Sequence, residues 1–344
     1  MRHNAKVNLK GVKSMQQKHT SRLLGFLSLV IVLLIPGLAG AQTGVDSAPR
    51  TPWGTPNLEG VWDFRTITPM ERPEELGDQA FLTSEEAAHL DQEATDRNER
   101  LSNEGARRTE AGGNVGAYNN FWMDRGTRTV GTRRTSLIID PPNGRIPPRT
   151  PAGEQRAAAK RARQQVSPAD SWVDRSIYER CVLGFNSGPP MEPRAYNNHM
   201  QLFQTPDHVV IFNEMVHDIR VIPVDSTGSF PDGIRQWMGH SRGHWEGDTF
   251  VVETTHLYGV NSFTERNVAT QDMTVTERFT RTDAETLTYQ FTVTDPATWT
   301  QPWSAEIPMA RSDDQVWEYA CHEGNYGMDG ILAGHRAEER EAGR

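Results

Sequence analysis

The stretch Asn197–Pro223, NNHMQLFQTPDHVVIFNEMVHDIRVIP, leaves this chain little choice of fold. Two apolar runs, Met200–Phe203 and Val209–Met215, flank Thr205-Pro206-Asp207. There proline presets φ and aspartate tolerates the turn, which is a hairpin signal. A third run, Ile219–Pro223, follows Val216-His217-Asp218 and reads as the next strand of a meander. Glu214, His217, Asp218 and Arg220 thus sit inside or between strands. Polar groups so placed face solvent or line a polar cavity.

The same grammar recurs downstream. His244–Thr254 turns tightly at Glu246-Gly247-Asp248. Val275–Thr282 and Leu287–Thr294 are joined through Asp283-Ala284-Glu285, and Leu287, Tyr289, Phe291 and Val293 alternate with Thr288, Gln290 and Thr292. That alternation marks a two-faced strand. Trp303–Met309 and Val316–Cys321 complete the set. Short strands in consecutive hairpins predict a mainly β fold, an antiparallel barrel-like meander, rather than a βαβ architecture. Upstream, Leu58–Trp62 and Arg134–Ile139 read as strands. Thr83-Ser84-Glu85-Glu86 is a capping box opening a polar helix to about Arg100. Thr150-Pro151 supplies N-cap and N1 for a basic helix carrying Arg156, Lys160, Arg161 and Arg163. A solvated face is the simpler reading of those charges. The expected division is an irregular, partly helical extension over 42–175, a β core over 176–334 and a charged, frayed tail over 335–344.

Residues 1–41 read as an export signal: a basic segment without acidic residues, the apolar run Leu23–Leu38, and Ala39-Gly40-Ala41 as cleavage site. Retention as an anchor is the alternative. Cleavage removes six basic residues and takes the net charge from −9 to −15 over 303 residues. So acidic a chain disfavours nucleic acid or an anionic membrane as partner, and no membrane span is expected once the signal is gone. In an oxidising compartment the even pair Cys181 and Cys321 reads as one disulfide, with metal ligation through Cys321 and His322 or a free reactive thiol as alternatives.

Several motifs carry a resemblance. They are Tyr118-Asn119-Asn120-Phe121-Trp122, Ser136–Asp140 with Pro141–Pro147, Tyr178-Glu179-Arg180-Cys181, Gly239–Asp248 (GHSRGHWEGD) and Tyr319–Tyr326 (YACHEGNY). Together they resemble a family of exported bacterial proteins of uncharacterised activity, over most of the chain beyond the signal. That resemblance implies export and no particular reaction. Separately, Gly60-Val61-Trp62 at the start of the first strand resembles the lipocalin (calycin) opening. It implies a barrel whose closed end is plugged by the tryptophan, and a ligand held within.

No nucleophile elbow, phosphate loop, HExxH or dinucleotide fingerprint is present. Three clusters of ionisable groups remain. The first, Asn197, Asn198, His199, Glu214, His217, Asp218 and Arg220, can shuttle a proton and hold an anionic or carbonyl group. Its bland alternative is a surface ion-pair network. The second, His240, Arg242, His244 and Glu246 with Glu253 and His256, lacks helical metal-ligand spacing because Gly239 and Gly243 interrupt it. The third is Glu306, Glu318, Tyr319, His322, Glu323 and Asn325. In it Glu318 is placed on a strand three residues before a bridged cysteine. Phe121, Trp122, Trp237, Tyr289, Trp299 and Trp303 either line an apolar pocket or form core. The expectation is a pocket for a small, largely apolar molecule, with cofactor-free and metal-free acid–base chemistry of lyase, hydratase, isomerase or cyclase type. His217 and Asp218 are the expected proton-transfer pair, Glu214 or Glu318 the second carboxylate and Arg220 the clamp. The ligand contacts are Asn198, His199, Phe121, Trp122, Trp237, Tyr289 and Trp303. A non-catalytic carrier of a hydrophobic ligand is the alternative.

Overall fold

The period-two text folds as expected into antiparallel strands. The computed structural model describes residues 48–104, 123–124, 126–228, 230–259 and 268–343. Val45–Arg344 forms one unit, whereas the unit Met1–Gly44, with the expected signal, lies outside the described residues, as do Phe121 and Trp122. The strands are β1 (Gly60–Asp63), β2 (Ile138–Asp140), β3 (His199–Gln204), β4 (His208–Asn213), β5 (Ile219–Pro223), β6 (His240–Glu246), β7 (Thr249–Thr255), β8 (Thr274–Arg281), β9 (Thr286–Thr294) and β10 (Trp303–Ser312). The helices are α1 (Ser84–Asn103), α2 (Pro151–Val166) and α3 (Gly327–Glu341).

Two meanders, β3-β4-β5 and β6 through β10, are stitched together by β1, giving the order β5-β4-β3-β1-β10-β9-β8-β7-β6, with β2 on β10. The ladder does not close between its edges. Instead the end of β5 touches β6 at one parallel bridge, Val224–Gly243, and the Asp225 N–H donates to the Gly243 carbonyl at 2.8 Å. Gly243 is needed there, since a Cβ would stand 2.1 Å from the Phe250 ring. The protein is thus a barrel-like antiparallel sheet with a seam.

Alternation fills the interior. Leu287, Tyr289, Phe291 and Val293 of β9 face inward with Phe250 and Val252 of β7, Phe279 of β8 and Trp303, Ala305 and Ile307 of β10. Each large apolar side chain so buried contributes about 1.5–3 kcal/mol. Trp62 is fully buried, donating its indole N–H to the Leu58 carbonyl at 2.9 Å, with the Arg281 guanidinium 5.2 Å over its ring.

Helix boundaries follow the capping chemistry. Thr83 and Glu86 form the reciprocal capping box, and Thr150 accepts from the Gly153 N–H ahead of Pro151. On α2, Arg156 is not merely solvated, because it donates to Val268, Ala297 and Thr298. Three expectations are corrected. Of Arg134–Ile139 only Ile138 and Ile139 belong to β2, which ends at Asp140, since Arg134 joins just an isolated bridge to Phe81. Val316–Cys321 is not a strand, because it has no ladder partner. The charged C-terminal stretch is helical through Glu341, held by Arg336–Glu339 and by His335 and Arg336 against Asp170.

Candidate functional site

The hairpin that dominates the sequence also positions the site. After β4 the chain makes a 3-10 turn, Met215–His217, before entering β5. Val216 and His217 sit at φ 59° and 46°, a left-handed conformation that side chains rarely adopt, least of all a β-branched one. The turn is held from below by Ser187, whose hydroxyl donates to the Met215 carbonyl at 3.1 Å. Asp218 then accepts from the Gly184 N–H at 2.7 Å. His217 stands exposed, its Nδ1 3.3 Å from the Tyr319 carbonyl.

Beside this turn lies a cavity of about 570 Å³ in the seam between β5 and β6. One wall is Val216–Val221, which includes His217 and Asp218. The other is Gln236–Ser241, with Trp237 and His240, and Cys181–Leu183 and His322 complete it. Cys181 also has positive φ, so strained backbone borders the cavity there, whereas Gly239 takes its positive φ without steric cost. Burial pushes the Asp218 carboxyl above its ordinary range, opposed by the hydrogen bonds from Gly184 and Ser187 and by His217. Burial lowers the His240 imidazole, with Arg242 and His256 adding to it. Desolvation thus moves an acid up and a base down on opposite walls of one cavity. His240 is further fixed by stacking on Phe230, with centroids 4.1 Å apart, and by the Arg242 guanidinium donating to its Nε2 at 3.2 Å.

A second cavity, of about 980 Å³, adjoins the first through Trp237. Trp237 packs on Tyr258 with centroids 4.5 Å apart, and Trp172 and Tyr258 are 57% and 47% exposed. Arg180 lies 4.8 Å over Trp172 and 5.5 Å over Trp237. A third cavity, of about 360 Å³, shares Arg180, Cys181 and His322. The disulfide Cys181–Cys321, Cα atoms 5.7 Å apart, stands where the first and third meet.

The structure therefore brings His217, Asp218, Trp237, His240 and His322 together, and it uses the other expected site residues elsewhere. The Arg220 side chain points into the barrel and forms a two-pronged pair with Glu277 at 2.6 and 2.8 Å. Arg220 is 4% and Glu277 0% exposed. Tyr289 donates to the same carboxylate at 2.7 Å and accepts from the Met191 N–H. Burial and the Glu277 charge hold its phenol well above its usual pKa. Tyr289 and Trp303 are fully buried core, because both sit on inward positions of their strands. The Asn198 amide accepts from Asn186 and Arg194 and donates to Asp124 and Arg194, so its capacity is spent bracketing loops. Glu214 is buried behind the turn, 3.4 Å from the His199 ring, and accepts from the Trp317 N–H. Glu318 is exposed on irregular chain, not on a strand.

The second cluster divides. His240 lines the cavity, whereas His244 and Glu246 join Arg278 on the outer surface. In the third, Glu306 accepts from Gln290 on the outer face, and Asn325 donates to the Cys181 sulfur. One group of metal-type donors occurs among the described residues, Asp170, His335 and Glu339, at the junction of α3 with the loop after α2. Arg336 already neutralises its carboxylates. Sequence reasoning missed Glu277, Trp172, Tyr258 and the role of Arg180. Glu277 had a signal, being a carboxylate between Val275 and Phe279 on the inward phase of β8. The others lie on segments without periodicity. Comparison with family models, with curated proteins and with solved structures finds no match to this chain.

Proposed function

We propose that the protein is an exported acid–base enzyme acting, without a cofactor, on a largely apolar organic molecule bound in the seam groove. The observation that carries this reading is the cavity between β5 and β6. It sets Asp218 and His217 across from His240 beside the Trp237 ring, on strained backbone. Perturbed ionisable groups converging in a concave, partly aromatic site are the usual mark of proton-transfer chemistry. Asp218, whose carboxyl burial pushes up, and His240, whose imidazole burial pushes down, are the groups placed to exchange a proton with a bound molecule, His240 through release of its Nε2 from Arg242. His217 stands beside Asp218 to exchange protons with solvent. A proton removed on one wall and returned on the other performs elimination, hydration, isomerisation or cyclisation with no net redox change. Export is supported by the disulfide and by the basic and apolar leader in the sequence. No helix among the described residues is long and apolar enough to cross a membrane.

A carrier is the second reading, favoured by the wide, exposed aromatic floor of Trp172 and Tyr258. Native mass spectrometry of protein from its own compartment separates the two. A carrier returns its ligand unchanged after long incubation, and an enzyme converts it. On the molecule so identified, Asp218→Asn and His217→Ala are each expected to reduce turnover by about 10²-fold or more, with binding retained. Full activity in both variants rejects the assignment.

A further inference from the structure

The Tyr178-Glu179-Arg180-Cys181 motif contains a cation without a counter-charge. Arg163 pairs with Asp174, and Arg175 pairs with Glu179 within hydrogen-bonding distance. The Arg180 guanidinium has neither a hydrogen bond nor an ion pair among the described residues, although the chain carries 45 acidic residues against 36 basic ones. Its contacts are the faces of Trp172 and Trp237. A cation over ring faces is held electrostatically, and such contact gives its N–H donors no oxygen to bond. Arg180 also lines two of the three cavities, those of about 980 and 360 Å³, while Trp237 continues from the larger of these into the one that holds Asp218.

We propose that Arg180 is the head-group site for a carboxylate-bearing ligand whose apolar body lies along Trp237 and Tyr258 towards Asp218. One planar guanidinium matches one carboxylate through two parallel N–H···O bonds, and a single unpaired positive charge suits a monoanion. The aromatic rings supply apolar area and exclude water from the pair. This proposal rests on the groove being the ligand site named above, but not on Asp218 being its catalyst.

The test uses the full oxidised protein and three naphthalene probes: 2-naphthoate, the neutral 2-naphthalenemethanol and 2-naphthyl phosphate. Calorimetry or tryptophan quenching reads their affinities. Naphthoate is expected to bind about tenfold or more tighter than the alcohol at low salt, as a charge-assisted pair requires. Arg180→Gln is expected to abolish that preference while leaving the alcohol's affinity nearly unchanged, and Arg180→Lys to keep part of it. Thermal melts confirm that both variants fold. Equal affinity for naphthoate and alcohol in the parent protein overturns the proposal. So does a preference that survives Arg180→Gln, or equal behaviour of the two variants. A phosphate probe tenfold tighter than naphthoate overturns the carboxylate assignment. Asp218→Asn is measured in parallel and is expected to bind naphthoate as the parent does. Turnover retained in Asp218→Asn would then reject the acid–base assignment while leaving the head-group site standing.

Discussion

Arg220 and Glu277 meet inside the barrel, where two charges are costly unless each answers the other. Their forked pair, with Tyr289 as a further donor to Glu277, meets that condition. Removing one partner strands the other, so Glu277→Gln is expected to lower stability by about 3–5 kcal/mol in urea melts. Arg220→Met with Glu277→Leu should recover part of the loss, because an apolar pair of similar volume needs no desolvation while the buried Tyr289 hydroxyl loses its acceptor. A double variant as unstable as the single one would show that the pair contributes beyond its mutual neutralisation. His199 offers a pH test. Burial pulls its imidazole down, but the Glu214 hydrogen bond and the charges of Asp63 and Glu214 outweigh this and hold it above its ordinary value. A raised folded-state pKa stabilises the protein fully below the unfolded value of about 6.5, and the gain is lost as pH rises through the folded value. Stability should therefore fall with rising pH above about 6.5, and His199→Gln should flatten that fall. An unchanged slope in the variant would place the transition on another group.

At the scale of elements, the seam decides where a site can exist. Nine of the strands follow each other round by antiparallel pairing, and the edges β5 and β6 touch at Val224–Gly243. The space left beside that bridge is the cavity. Gly243 permits the approach, since any Cβ would enter the Phe250 ring. Gly243→Ala is expected to cost about 1–3 kcal/mol by overpacking, and to disturb ligand binding in the groove more than a distant variant of equal instability. Thermal melts beside probe affinities check both parts. The 3-10 turn is the complementary device. Positive φ at Val216 and His217 directs adjacent side chains to one wall, and the contacts of Ser187 and Gly184 hold it there.

At the scale of the whole molecule, one covalent bond closes a long loop. Cys181 and Cys321 lie 140 residues apart, and their disulfide ties the irregular segment after β10 to the rim of the groove. In the chain-entropy picture such a loop stabilises by about 4–5 kcal/mol. The Cys181→Ser, Cys321→Ser double variant should lose up to that amount in denaturant melts, and a loss below about 1 kcal/mol would mean that the unfolded chain is already compact. The strands, the two helix starts and the bonded cysteines could be read from residue order, because alternation, turn chemistry and capping act over a few neighbouring residues. That His217 and Asp218 stand side by side at a strand junction could be read for the same reason. What faces them across the cavity could not. His240 lines the same cavity as Asp218 from a strand far away in the chain, and no local pattern records which edges meet. Direction was equally hidden. Arg220 and Tyr289 lie on the inward phase of their strands and are buried in the barrel, whereas Arg180 and Trp172 lie on aperiodic chain, where no alternation marks which way a side chain turns. Local chemistry specifies elements, and the contacts between distant elements specify the groove.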